Sequence, residues 1–198
     1  MSRPTPVAAI AAAVTTGRWR LDPVRSVVEF RVPHLYGLIT VVGHFERYAG
    51  TLDMSAAPAI ELTIDAASLT STHHGDREAT EQKRDAHLRS SDFFDVEHHP
   101  TVRFASEAAR LDGRGLFVRG LLSAGGRTIP LEVTATLESA DDELEIHASA
   151  RANQRDLGMT YSPLGTIRTP SKLIVKGRLV RDANRSSRSD LSASEAAR

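Results

Sequence analysis

Apolar and polar residues alternate with a period of two along most of the chain, and no other feature limits the fold so strongly. Successive side chains of a strand point to opposite faces, so this alternation marks strands with one buried face. Val28, Phe30 and Val32 share one face of 26-SVVEFRV-32, while Glu29 and Arg31 share the other. In 39-ITVVGHFERYAG-50, Val41, Gly43 and Phe45 alternate with Val42, His44 and Glu46. Ile60, Leu62 and Ile64 continue the pattern, as do Val102 and Phe104. In 115-GLFVRGLLS-123 both faces carry apolar residues. The alternation is clean again in 129-IPLEVTATL-137 and 143-ELEIHASAR-151, and at Leu173, Val175 and Leu179.

Turn residues separate these runs. Asp112-Gly113 and Gly125-Gly126 are short hairpin connectors, and 139-SADDE-143 is a slightly longer one. About eight strands at hairpin spacing predict an all-β, antiparallel barrel or sandwich. The exception is 76-DREATEQKRDAHLRSS-91, which lacks Gly, Pro and alternation and is rich in helix formers. It predicts one helix over about residues 76–91, with Asp76 as N-cap. Its apolar stripe is thin, which suits a helix laid over a barrel mouth or flank.

The folded domain is expected over residues 17–182. Residues 1–16 read as an N-terminal extension, because Val7 to Val14 is a short, Ala-dominated run flanked by Pro4 and Pro6. The expected location is cytoplasmic, with export to the periplasm the alternative if that segment is cleaved. Residues 183–198 are polar and read as a tail. No run approaches the ~20 apolar residues of a membrane-spanning helix. Basic and acidic residues balance at 25 each, so no global field points to nucleic acid or an anionic membrane. The absence of cysteine excludes disulfides, thiolate metal sites and thiol nucleophiles.

The inward registers include Gly43, Ala135, Ala148, Ala150 and Gly177, and aromatic residues make up only 5% of the chain. In a closed eight-stranded barrel, small residues facing the axis leave room for a ligand. In a flattened sandwich the same residues let two sheets pack closely. His73-His74 and His98-His99 are adjacent pairs, which on a strand point apart and make poor chelators. No metal is therefore expected. There is no Gly-x-Ser-x-Gly elbow and no phosphate-cradling glycine loop. Asp92, Asp95 and Glu97 beside His98 read as solvating and capping groups, with acid–base chemistry the competing reading.

Trp19 with 20-RLDPVRSVVEFRVPH-34, the run 84-RDAHLRSSDFFDVEHHPTVRF-104, Gly126-Arg127 leading into 128-TIPLEVTAT-136, and Arg155-Asp156 with Gly158-Met159 together resemble the YceI-like polyisoprenoid-binding family. The resemblance implies a lipocalin-like antiparallel barrel of eight strands holding a long isoprenoid chain. It also implies that Arg84, Asp85, His87 and Leu88 lie on the helix packed near the barrel, with Phe93, Phe94 and Phe104 close to the cavity. The expected ligand-contacting set is Phe30, Val32, Phe45, Leu88, Phe93, Phe94, Phe104, Leu131, Val133, Ala135, Ile146, Ala148 and Met159. The expected function is binding of a polyprenyl compound or isoprenoid quinone, without catalysis and without a cofactor. The alternatives are an enzyme acting on a hydrophobic substrate through Asp95, His98 or Arg155, and an interaction protein with a filled barrel. Expected partners are the lipid and, as an open alternative, a second copy in a homodimer, with no nucleic acid and no integral membrane segment.

Overall fold

The computed structural model describes residues 17–34, 39–54, 57–72, 77–140, 142–161 and 170–182. These hold eleven strands: β1 (Arg18–Leu21), β2 (Val27–His34), β3 (Ile39–Phe45), β4 (Tyr48–Asp53), β5 (Ala59–Asp65), β6 (Leu69–Thr72), β7 (Thr101–Asp112), β8 (Gly115–Ala124), β9 (Arg127–Ala140), β10 (Glu143–Ala152) and β11 (Ser171–Arg181). One helix, α1 (Glu78–Arg89), joins β6 to β7. Every pairing is antiparallel. The order β1-β4-β5-β7-β8-β9-β10-β11 closes on itself through β1 and β11, which makes an eight-stranded barrel. The strands β2, β3 and β6 extend the sheet from the edge of β11.

The eleven strands reduce to eight because the first three are each broken in two. Along β11, Leu179 to Arg181 pair with β1 and Lys172 to Lys176 pair with β2, so β1 and β2 are two halves of one strand position. The pairs β3/β4 and β5/β6 repeat this arrangement. The breaks line up as a crease across the sheet. Tyr48 Oη donates to the carbonyl of Ser26, and the Arg47 amide donates to Ser68 Oγ at 3.0 Å. The last break is a 3-10 turn at Ala66–Ser68, capped by Asp65, whose carboxylate accepts the Ala67 amide at 2.9 Å.

Inward registers follow the alternation: Leu131, Ala135 and Leu137 on β9, and Leu144, Ile146 and Ala150 on β10, are buried. On β8, Leu116, Val118 and Leu122 are buried while Phe117 and Leu121 face out, which resolves its two-sided apolar pattern. One end of the barrel is plugged by Trp19, Leu52, Leu116, Leu137 and Leu144, large side chains almost without exposure. The Asp112-Gly113 hairpin, with Leu137 near the end of β9 and Leu144 near the start of β10, belongs to this floor.

The helix is shorter than the expected 76–91. Asp76 lies outside the described residues, and the N-cap position is Arg77, whose side chain makes no cap hydrogen bond. No residue of α1 is fully buried. The helix is tied down by polar contacts to the edge of β6, which pairs only with β3 among the described residues. Arg84 donates from Nε to Ser71 Oγ at 2.7 Å and from Nη2 to the Ser71 carbonyl at 3.2 Å. Ser71 Oγ in turn donates to Asp85, and Arg89 Nη2 donates to the Leu69 carbonyl. An open strand edge is a template for unwanted pairing, and these side chains occupy it. No helix among the described residues is long and apolar enough to cross a membrane.

Candidate functional site: an apolar cavity with an aromatic roof

Inside the barrel lies a cavity of about 380 Å³, within the ~300–1,000 Å³ of small-molecule sites. Its walls are almost wholly apolar. The thirteen residues expected to contact a ligand, Phe30, Val32, Phe45, Leu88, Phe93, Phe94, Phe104, Leu131, Val133, Ala135, Ile146, Ala148 and Met159, all line it. Leu21, Leu52 and Leu179 line its floor end, where the plugging leucines and Trp19 stop it.

Not all of the small inward residues open this space. Gly43 lies directly across from Phe30 in the β2–β3 pairing. A Cβ at Gly43 would fall 2.2 Å from Phe30 Cζ, so the missing side chain makes room for the Phe30 ring. Gly177 likewise accommodates Ser26, whose Oγ would lie 1.9 Å from an added Cβ. Of the two readings of the small inward residues, close packing holds for both glycines: each is filled by a neighbour's side chain. Ala135, Ala148 and Ala150 do face the cavity. Ala135 and Ala148 are direct cross-strand partners, so two minimal side chains meet at one level of the wall.

The end opposite the floor is roofed by rings. The segment after α1 folds back on the helix: the Phe94 amide donates to the Leu88 carbonyl at 3.1 Å, and the Asp95 amide to the Ser90 carbonyl at 2.9 Å. Asp95 takes φ 47°, a left-handed conformation that Asp tolerates better than most residues. The reversal drops Phe94 between Phe30 and Phe45, with centroids 5.8 Å from each. A second cluster joins His87 to Phe93 at 5.2 Å and to Tyr161 at 4.4 Å. His87 Nε2 is also 2.8 Å from Asp92 Oδ2, which orients the imidazole under the roof. Edge-to-face rings at these spacings attract beyond simple burial. His87 and Leu88 thus serve as roof and fold residues.

Charged groups on the wall are engaged elsewhere. Glu29 lies in the outward register between Val28 and Phe30 and accepts from Arg31 Nε at 2.8 Å. Glu61 is paired with Arg103 at 3.2 Å. The acid–base candidates do not converge on the cavity: Asp95, His98 and Arg155 are absent from its lining. His98 is largely exposed, and its hydrogen bond to Asp95 at 2.9 Å raises its pKa above 6.5. Among the described residues, no three His, Asp or Glu side chains gather as a metal site. His73 and His74 lie outside the described residues.

Two polar wall residues escaped the reading from sequence. Ala148, Ala150 and Ala152 continue one inward register into the turn after β10, and the next position of that register is Gln154. Its partner strand brings in Ser171 opposite Ala152. Gln154 is 9% exposed and Ser171 6%, and Ser171 Oγ donates to Gln154 Oε1 at 3.2 Å. The turn that holds Gln154 inward is local: the Arg155 amide donates to Asn153 Oδ1 at 3.2 Å and the Met159 amide to the Gln154 carbonyl at 3.0 Å. Leu157 and Met159 point in while Arg155 and Asp156 point to solvent. Extending the period of two past the strand would have found Gln154.

Comparison with known proteins agrees with this architecture. Residues 19–179 match the YceI-like domain. Protein YceI of Escherichia coli (strain UMN026) is 32% identical over 120 residues, which span 59% of this chain and 58% of that protein's length. Among solved structures, Burkholderia cenocepacia BcnA superposes with a TM-score of 0.68 at 17% identity, covering 81% of this chain and 99% of BcnA. A polyisoprenoid-binding domain from Saccharophagus degradans superposes with a TM-score of 0.60 at 14% identity, covering 83% and 98%. At these identities the superpositions speak for the fold, and the matched domain speaks for descent. The chain belongs to the YceI-like family.

Proposed function

We propose that this protein binds a long isoprenoid lipid, a polyprenyl compound or isoprenoid quinone, inside the barrel, for storage, transport or sequestration. The observation that carries the reading is the cavity itself: about 380 Å³ of apolar space closed below by leucines and roofed by two aromatic clusters. An apolar void without a tenant forfeits dispersion contacts along its lining, and a linear hydrocarbon tail restores them. Burial stabilises by about 0.8 kcal/mol per CH₂, so a tail of several isoprene units is held tightly with few polar contacts. The description of the Saccharophagus degradans relative as a polyisoprenoid-binding domain supports the same ligand class. Contact by apolar wall residues should make affinity nearly independent of salt. Native mass spectrometry of delipidated protein mixed with a prenylated quinone tests this: one bound molecule per chain, retained at high salt, is expected. No adduct, or one that disappears as salt rises, would contradict it.

A further inference from the structure

Gln154 presents an amide at the roofed end of a mostly apolar wall, beside Ser171. Its Oε1 is occupied by Ser171 Oγ at 3.2 Å. Its Nε2 has no hydrogen-bond partner among the described residues, although the residue is 9% exposed and lines the cavity. An amide donor that opens onto the cavity gains a hydrogen bond from a bound molecule that offers an acceptor. The position is equally telling. Gln154 follows β10 at the roofed end, far along the strand from Leu144 at the floor. A ligand touching it must run its apolar part down toward Leu52 and Leu179.

We infer that Gln154 is the specificity-determining contact for the ligand's polar end, donating from Nε2 to an uncharged oxygen acceptor such as a ring carbonyl. This rests on the proposed lipid-binding role and adds the head-group class and the direction in which the molecule lies. A neutral head is favoured over a phosphate because the cations nearby are used or turned away. Arg84 is hydrogen-bonded to the edge of β6, and Arg155, next to Gln154, faces solvent. A bare hydrocarbon would fill the cavity equally well yet leave Nε2 unpaired.

The experiment compares two probes on the delipidated protein, a prenylated quinone and squalene, a pure isoprenoid hydrocarbon. The wild type should prefer the quinone by roughly tenfold, the equivalent of about 1.4 kcal/mol. Gln154→Leu should abolish that preference by weakening quinone binding while leaving squalene binding equal or tighter. Retained squalene binding also reports that the barrel is folded. Gln154→Asn keeps an amide but withdraws it from the cavity, and it should lower the preference in the same direction. Unchanged quinone preference in both variants would overturn the role of Gln154 while leaving lipid binding intact. Tighter binding of a prenyl phosphate than of the quinone by the wild type would overturn the neutral-head assignment. Failure of the wild type to bind either isoprenoid would instead defeat the lipid-binding reading beneath it.

Discussion

Replacing Ala148 by Phe separates a ligand-holding barrel from a packed one. Ala148 lines the cavity, faces Ala135 across the β9–β10 pair and faces Val175 on β11. In a filled core an added ring forces its neighbours off their rotamers, at about 1–3 kcal/mol. Here the ring enters existing space, with Ala135 on one side and Val175 on the other. Burying a Phe side chain is worth about 1.5–3 kcal/mol, so apo stability should hold or rise slightly. Ligand binding should suffer instead. A six-carbon ring displaces about five or six carbons of tail, which at ~0.8 kcal/mol per CH₂ amounts to roughly 4–5 kcal/mol. If even half of that is realised, affinity falls by more than about thirtyfold. Denaturant unfolding of the apo variant and titration with a prenylated quinone form the assay. Loss of stability with normal binding would mean that the alanines pack sheet against sheet, and the cavity argument would fail.

Gly43→Ala should do the opposite, because its Cβ would collide with the Phe30 ring. A loss of about 1–3 kcal/mol, read as a fall in Tm of about 2–4 °C per kcal/mol for a domain of this size, is expected, and an unchanged melt would refute the close approach. Arg25 donates to Asp22 and bidentately to Glu143, and these hydrogen bonds hold both carboxyls below their ordinary values of 3.8 and 4.5. A lowered carboxyl stabilises the fold above its ordinary pKa and loses that contribution as the pH falls through the folded value. Arg25→Ala should therefore cost stability at pH 7, and that cost should shrink as the pH falls below the ordinary carboxylate range; a loss that stays constant on acidification, by denaturant unfolding, would contradict the linkage. Chelator treatment should leave Tm unchanged, given a chain without cysteine and no cluster of three ligating side chains among the described residues. One equivalent of tightly held zinc or copper by elemental analysis would overturn that.

The barrel was legible because its inward residues sit at every second position for strands at a time, as in Leu131-Val133-Ala135-Leu137. What escaped was local and three-dimensional. The run 39–50 reads as one strand, yet it breaks between Phe45 and Tyr48. No Gly or Pro marks the break, because Asp65 and Ser68 of the neighbouring strand position satisfy the Arg47 backbone. The four-residue β6 is too short to show a period. Gly43 and Gly177 look like empty volume in a sequence, since nothing there tells that Phe30 and Ser26 fill them. The apolar wall followed from alternation and from the family resemblance together. Gln154 lies one step beyond the strand, where the eye stops at a turn. The roof depends on the backbone reversal at Asp95, whose left-handed conformation no motif announces.

The most direct test of the central claim is mass spectrometry of an organic extract from purified protein, run beside the Ala148→Phe variant prepared identically. The wild-type extract should hold a prenylated compound, near one equivalent per chain, and the variant's extract should be depleted of it. A wild-type extract without any prenylated compound, from protein that also fails to take one up when offered, would contradict the claim. Equal amounts in both extracts would place the lipid somewhere other than the barrel.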